Sequence, residues 1–209
     1  MHHIMVDLET LCTNRDSIVL SIGLVAFDPT TKEIGEKLYI ELTDTIEDQQ
    51  KQGRTMSAAT FRWWLQQGAA ARMVFSDPPQ PGIKRPGIVA SALTDIMYFF
   101  QRNGGDKIEL WGNGADFDNV ILASLFETYL YKVPWSFSRN RCFRTMKRLS
   151  GIMGNLRIQT PPFAGVPHNA LDDALQQVTH LQEIFACLAQ GSSASRAKPV
   201  PVKTPSPAS

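Results

Sequence analysis

The chain has 209 residues, of which 43% are hydrophobic and 20% charged, and a formal net charge of +1. This length allows one domain with a sizeable core, and the composition excludes a disordered or membrane-embedded body. Acidic residues at positions 7 and 9 argue against a secretory signal peptide, and three cysteines without metal-type spacing indicate reduced thiols in a cytoplasmic protein.

The predicted elements divide the chain into a strand-rich first part and a helix-rich remainder. Three apolar or alternating runs predict an antiparallel meander, and helical spacing then predicts five helices, with one further strand between the second and third. The strands are residues 4–8, 17–27, 36–42 and 107–111, and the helices are residues 57–67, 88–102, 118–131, 141–149 and 171–188. The first helix carries Phe61, Trp64 and Leu65 at helical spacing. This order favours a mixed α/β layer fold.

Two segments are predicted to lie outside the regular elements. Residues 77–87 contain four prolines and two glycines, which is typical of a loop. Residues 191–209 contain five serines, four prolines and three cations, with no acidic or aromatic residue, so they cannot bury a core. We therefore predict one domain over residues 1–190 and a disordered basic tail over residues 191–209.

A basic window covers residues 128–171, where the sequence has no acidic residue. Aromatic residues are interleaved with its cations, a combination that suits phosphate contact and base stacking. A solvated helix face fits the same charge pattern, so both interpretations stay open. The cations are Lys132, Arg139, Arg141, Arg144, Lys147, Arg148 and Arg157.

The first candidate group of carboxylates is Asp7 and Glu9, at the end of the first predicted strand. Strand side chains alternate between faces, so residues two apart project from the same face and can share one cation. Surface charge at a strand end is the simpler interpretation of such a pair. The position between a hydrophobic strand and a polar loop favours a site.

Two further groups stand where a loop enters a helix. Asp116 and Asp118 follow a strand and a glycine-flanked turn, so either could cap a helix or point from the strand's carboxyl end towards a ligand. His168 precedes Asp172 and Asp173 after a proline-rich loop. The histidine would stay on the loop, free to approach a water, while an aspartate would point inward from the first helical turns.

Together these groups offer four carboxylates and one imidazole from three separated segments. Mg²⁺ prefers oxygen ligands, and two such ions can clamp the attacking and leaving oxygens of a phosphodiester hydrolysis. A neutral histidine can take the proton from the attacking water. The residues therefore predict phosphoryl hydrolysis with a general base.

Three motifs resemble those of the DEDDh 3′→5′ exonucleases: Val-Asp-Leu-Glu-Thr at 6–10, Asn-Gly-Ala-Asp-Phe-Asp at 113–118 and His-Asn-Ala-Leu-Asp-Asp at 168–173. The resemblance covers residues 4–188 and is strongest to the phage-type and mycobacterial, exonuclease-VIII-like group. It implies a ribonuclease-H-like α/β fold, with a mixed five-stranded sheet (an antiparallel meander, then parallel strands) flanked by helices.

The resemblance also assigns roles. It selects Asp118 over Asp116 and Asp173 over Asp172. It implies two Mg²⁺ or Mn²⁺ ions, a histidine general base, and release of nucleoside 5′-monophosphates from 3′ ends of single-stranded DNA or RNA, with no membrane partner and a homodimer left open. The implied metal ligands are Asp7, Glu9, Asp118 and Asp173, and the implied base is His168.

Substrate contacts are expected at five positions, four by resemblance and one, Arg144, from the basic window. For Trp64, core packing is an equal alternative. These positions are Thr10, Leu11, Trp64, Asn113 and Arg144.

Two other functional classes fit the same residues less well. A catalytically silent nucleic-acid-binding module would be favoured by a substitution at any of the five catalytic positions, and all five are present. A ribonuclease-H-like ATPase or kinase would need a glycine-rich phosphate loop with a lysine at P-loop spacing, which the sequence lacks.

Overall fold

A computed structural model describes residues 1–42, 44–76, 89–152, 158 and 160–194. The predicted loop at 77–87 and residues 195–209 of the predicted tail lie outside the described residues. No helix in the described ranges is long and apolar enough to cross a membrane. The three cysteines are unpaired, as the sequence predicts.

The sheet has five strands in the order β3-β2-β1-β4-β5. Pairing is antiparallel for β1 with β2 and β2 with β3, and parallel for β1 with β4 and β4 with β5. This confirms the predicted mixed sheet. The strands are β1 (His3–Thr10), β2 (Val19–Phe27), β3 (Ile34–Glu41), β4 (Glu109–Gly112) and β5 (Asn140–Cys142).

The described helices are α1 (Ile46–Lys51), α2 (Ala58–Leu65), α3 (Val89–Arg102), α4 (Asp118–Thr128), α5 (Phe143–Ile152) and α6 (Ala170–Ala194), with short 3₁₀ turns at Ala71–Phe75, Gly105–Lys107 and Phe137–Arg139. The last helix extends six residues beyond its predicted end. Helix α1 was not predicted, because its six mostly polar residues are too few to show an apolar helical pattern. It is held by Thr45, whose Oγ1 caps Asp48 N, and by Gln49, whose Nε2 donates to Val19 O at 2.8 Å.

Helices cover both faces of the sheet. Alternate residues of β1 face α3 and α4 on one side, where Ile4, Val6 and Leu8 join the larger core cluster. Met5 belongs to the second cluster, with α5 and α6. Asp7 lies two residues further along that same side of the strand, which directs it towards α6.

The helix predicted at 57–67 is present as α2, and its three spaced apolar residues differ in exposure. Trp64 is buried, but Phe61 is 37% exposed and Leu65 is 55% exposed. This short helix reaches the core through its tryptophan, which packs with Leu11 and Ile18 in a small third cluster.

Two glycines allow the close approaches that assemble the carboxyl end of the sheet. A Cβ at Gly23 would stand 2.2 Å from the carbonyl oxygen of Ala170, so only glycine lets the start of α6 lie against β2. A Cβ at Gly112 would stand 2.3 Å from Asn119 Oδ1 and 3.0 Å from Asp118 Cβ. The starts of α4 and α6 therefore converge on the end of β1.

Candidate active site

A cleft of about 540 Å³ opens where β1 ends. Its walls come from β1 and the following loop, α2, the turn after β4, and the start of α6. The lining residues are Asp7, Leu8, Glu9, Thr10, Cys12, Thr13, Ala59, Thr60, Trp63, Asn113, Phe117, His168, Asp173 and Gln177.

Asp118 is tied to two of these walls by its carboxylate. The backbone N–H of Leu8 donates to Oδ1 at 3.2 Å, and that of Asn113 donates to Oδ2 at 2.9 Å. The side chain is almost completely buried, whereas that of Asp116 is exposed. The structure thus places Asp118, and not Asp116, beside the cleft.

The third motif separates its two aspartates in the same way. Asp173 lines the cleft and accepts the backbone N–H of His168 at 2.9 Å. Asp172 accepts the backbone N–H of Val166 at 2.8 Å and so fixes the loop before the helix. Ligand atoms of Glu9, His168 and Asp173 lie within 4.8 Å of one another, a group that could hold a metal ion.

Burial and mutual repulsion make the four carboxylates hard to ionise together. Burial, reinforced by the charges of Asp173 and Asp118, raises the pKa of Glu9 to about 8. Burial raises the pKa of Asp118 to about 7 against the backbone donors that lower it, and raises that of Asp173. The pKa of Asp7 lies well above its usual value because of burial and the other three carboxylates. The site therefore favours bound positive charge.

The donor set fits a hard divalent cation. Carboxylate oxygens are the ligands that Mg²⁺ and Mn²⁺ prefer. Glu9 and Asp173 offer them within the group that also contains His168, and Asp7 and Asp118 offer them beside it. A cation among them would stabilise the charged carboxylates, whose pKa values are raised by burial and, for Asp7 and Glu9, also by repulsion. Asp7, Glu9, Asp118 and Asp173 are therefore the residues suited to hold it.

His168 reaches the cleft from the loop before α6 in a left-handed backbone conformation, with φ of 66°. Its ring lies edge-to-face with Trp63, with ring centroids 4.9 Å apart, and with Trp64 at 6.2 Å. Two aromatic rings of α2 thus flank the imidazole.

Two of the predicted substrate contacts line the cleft and two do not. Thr10 and Asn113 line it, and the Thr10 hydroxyl donates to Cys12 O at 2.8 Å. Leu11 and Trp64 lie in the core and do not line the cleft, which for Trp64 favours the alternative of core packing. Trp64 supports the end of β1 by donating Nε1 to Thr10 O at 3.0 Å, so packing is its role.

Trp63 was not predicted from the sequence, although it lines the cleft and is 41% exposed. The available signal was the pair of adjacent tryptophans, because neighbouring residues on a helix point about 100° apart. One ring can therefore enter the core while the other faces the cleft.

Gln177 was also not predicted, although it lies four residues after Asp173 and therefore on the same side of α6. Its Nε2 donates to Asp7 Oδ1 at 2.6 Å. This hydrogen bond links α6 directly to the carboxylate at the end of β1.

The basic window divides between structural and exposed cations. Arg139 and Arg141 both pair with Glu109, the first at 2.9 Å, at the edge of the sheet. Arg144 is exposed on the first turn of α5, beside the turn that carries Asn113, and its charge lowers the pKa of Asp118. Arg148 is exposed one turn later, while Arg157 lies outside the described residues.

Comparison with known proteins identifies the family. A family model described as the 3′-5′ exoribonuclease Rv2179c-like domain matches residues 2–185. No curated protein matches the chain at a significant level. Membership of the phage-type and mycobacterial, exonuclease-VIII-like group stays a prediction.

Solved structures share the fold at low identity. Cell-death related nuclease 4 (CRN-4) has a TM-score of 0.56 and 16% identity, over 88% of this chain and 63% of that one. The nuclease domain of 3′hExo, a DEDDh family member bound to rAMP, has a TM-score of 0.56 and 15% identity, over 90% of this chain and 92% of that one. Escherichia coli Exonuclease I with a dT13 oligonucleotide has a TM-score of 0.61 and 12% identity, over 92% of this chain and 42% of that one.

This chain therefore spans less than two thirds of CRN-4 and of Exonuclease I. At these identities the likeness shows a common fold, and the family assignment rests on the family model. With that model matching nearly the whole described chain, the protein belongs to the family of Rv2179c-like 3′-5′ exoribonuclease domains, on the fold of the DEDDh exonucleases.

Proposed function

We propose that this protein is a divalent-metal-dependent 3′-5′ exonuclease that shortens single-stranded nucleic acid from its 3′ end and releases nucleoside 5′-monophosphates. The observation that carries the proposal is the convergence of Asp7, Glu9, Asp118 and Asp173, from three separated segments, at one cleft. Their raised pKa values indicate that the arrangement is electrostatically unfavourable without a cation.

The four carboxylates would hold two Mg²⁺ or Mn²⁺ ions. When bound, such ions polarise the scissile phosphate and lower the pKa of water. The backbone donors to Asp118 and Asp173 fix those two carboxylates in place, so the protein supplies a largely preformed set of ligands.

His168 would act as the general base. A neutral imidazole at the cleft can take a proton from the attacking water, while the 3′ nucleotide leaves with its 5′-phosphate. Its hydrogen bond to Asp173 uses the backbone N–H, so that bond leaves the ring nitrogens for proton transfer. The edges of Trp63 and Trp64 limit the orientations of the ring.

The substrate would be held by stacking and by charge. Trp63 offers an exposed indole at the cleft, on which an unpaired base can stack. Arg144 and Arg148 lie one turn apart on α5, where they can contact successive phosphates. The family description as exoribonuclease makes RNA the first substrate to test.

The proposal is tested with 5′-end-labelled single-stranded RNA and DNA of the same sequence, incubated with Mg²⁺, with Mn²⁺ or with excess chelator. We expect progressive shortening from the 3′ end and nucleoside 5′-monophosphate as product, only with metal. Undiminished cleavage in chelator would contradict the metal dependence. Binding without cleavage under every metal condition would favour a silent binding module instead.

A further inference from the structure

Gln177 is a buried amide that faces the carboxylate cluster from α6. Its side chain is 7% exposed, and Nε2 donates to Asp7 Oδ1 at 2.6 Å. Its Oε1 is fully buried and has no hydrogen-bond donor in the part of the chain that the structure describes. The amide therefore has one strong hydrogen bond, to a predicted metal ligand.

A half-satisfied amide at this place is costly for the fold alone. Burying a carbonyl oxygen without a donor is unfavourable, whereas an apolar side chain of the same length would fill the space without that cost. The unpaired carbonyl therefore gives no reason for glutamine at this position. The hydrogen bond to the Asp7 carboxylate does.

Two of the other carboxylates have donors that orient them. Asp118 is oriented by two backbone N–H groups and Asp173 by one. Asp7 lies inside β1, whose backbone is paired with β2 and β4 on either side. Within the described ranges, its orienting donor comes from a side chain, that of Gln177.

We propose that Gln177 is a positioning residue that orients the Asp7 carboxylate for the divalent cation. The hydrogen bond from Nε2 to Oδ1 restrains rotation of the carboxylate, whose remaining lone pairs would be held ready for a cation. Because the amide is neutral, it orients the carboxylate without neutralising the negative charge that attracts the cation. Partners that orient a metal ligand in this way typically contribute about 10-fold to 100-fold in metal affinity or activity. This inference rests on the proposed function.

The test compares Gln177→Met with a matched control on the same helix, Gln182→Met. Gln182 is 5% exposed and its Nε2 donates to Asp28 O at 2.9 Å and Glu33 O at 3.0 Å, away from the cleft. Mn²⁺ binding is measured by calorimetry, and the melting temperature (Tm) is measured in chelator.

For Gln177→Met we expect a Mn²⁺ dissociation constant about 10-fold to 100-fold higher. The Mg²⁺ concentration that half-saturates exonuclease activity should rise by the same factor. Gln182→Met should lower the Tm and leave the Mn²⁺ dissociation constant within about 2-fold, since it removes two satisfied hydrogen bonds far from the site.

A second variant keeps the test informative if Gln177→Met does not fold. Gln177→Asn keeps the amide but is one methylene too short to reach Oδ1, so it should weaken Mn²⁺ binding as Gln177→Met does. An unchanged Mn²⁺ dissociation constant in whichever of the two variants folds would overturn the inference.

Asp7→Asn separates this failure from failure of the proposed function. If Asp7→Asn loses Mn²⁺ binding while the Gln177 variants keep it, the positioning role is wrong and the metal site stands. If Asp7→Asn binds Mn²⁺ as the unmodified protein does, the metal site itself is wrong.

Discussion

His168 and Asp173 are joined by a hydrogen bond across the start of α6, from the backbone N–H of the histidine to Oδ2 of the aspartate at 2.9 Å. The histidine has φ of 66°, a conformation that non-glycine residues adopt at a cost of about 1–3 kcal/mol. The backbone is therefore held in an unfavourable state that keeps the imidazole at the cleft and the carboxylate in the cluster. Such strain is typical of functional sites.

His168→Ala tests the proposed general base. Loss of a positioned base typically costs about 10²-fold to 10⁴-fold in rate, so kcat should fall by that order while Mn²⁺ and oligonucleotide binding are nearly kept. A mutant with near-normal kcat would show that another group takes the proton.

Glu9→Gln tests the burial and the repulsion that raise the pKa of Glu9 in the metal-free protein. The pKa of Glu9 is about 8 in the folded protein against 4.5 for the ordinary group, so the folded state binds more protons between these values. Stability of the metal-free protein should therefore fall as pH rises from 4.5 to 8. Glu9→Gln should raise the Tm in chelator at pH 8 by at least about 2–4 °C. This is the shift in Tm that about 1 kcal/mol in the free energy of unfolding causes in a chain of this size.

The same variant supplies its own control at low pH. At about pH 4, where Glu9 is largely protonated in both states, the two proteins should melt within about 1 °C of each other, because Gln and protonated Glu are both neutral. Exonuclease activity should be absent at every pH. A Tm difference that did not grow with pH would contradict the assigned cause.

The sequence could predict those site residues that belong to a local pattern, such as strand alternation or a motif. Asp7 and Glu9 were predictable because strand alternation places them on one face, and the structure directs that face towards α6. The choice of Asp118 over Asp116 needed the family resemblance, since both fit the same turn. The structure supports that choice through the two backbone donors to Asp118.

Other parts depended on tertiary packing that no local pattern carries. The strand β5 has three polar or small residues and no alternation, so it exists only because β4 pairs with it. The separate roles of Trp63 and Trp64 depend on how α2 is rotated against Leu11. The contact of Gln177 with Asp7 depends on the distance between α6 and β1. Gly23 allows that short distance, because a Cβ there would clash with the start of the helix.

Trp63→Ala tests the proposed stacking surface. Stacking contributes about 1–3 kcal/mol per base, so the KM for single-stranded RNA should rise about 5-fold to 150-fold. Phe61→Ala is the matched control, because Phe61 is similarly exposed on the same helix and does not line the cleft. Equal effects of the two variants on KM would reject stacking at Trp63.

Replacing Arg144 and Arg148 together by glutamine tests their proposed binding to substrate phosphates. The salt dependence of binding should flatten by about 0.7 log units per log unit of salt for each phosphate that is no longer neutralised. Arg139→Gln should leave the slope unchanged, because Arg139 is already paired with Glu109. A slope unchanged in the double variant would support the solvated-face interpretation of α5.

The central claim is that the buried carboxylate cluster carries the exonuclease reaction, and the most direct measurement compares Asp118→Asn with Asp116→Asn. Both change one carboxylate in the same turn, but only Asp118 is buried at the cleft. With Mg²⁺ present, Asp118→Asn should slow release of the 3′ nucleotide by about 10³-fold or more, because several kcal/mol of transition-state stabilisation are removed. Asp116→Asn should stay within about 2-fold of the unmodified rate, as expected for an exposed side chain away from substrate. Comparable rates for the two variants would contradict the claim.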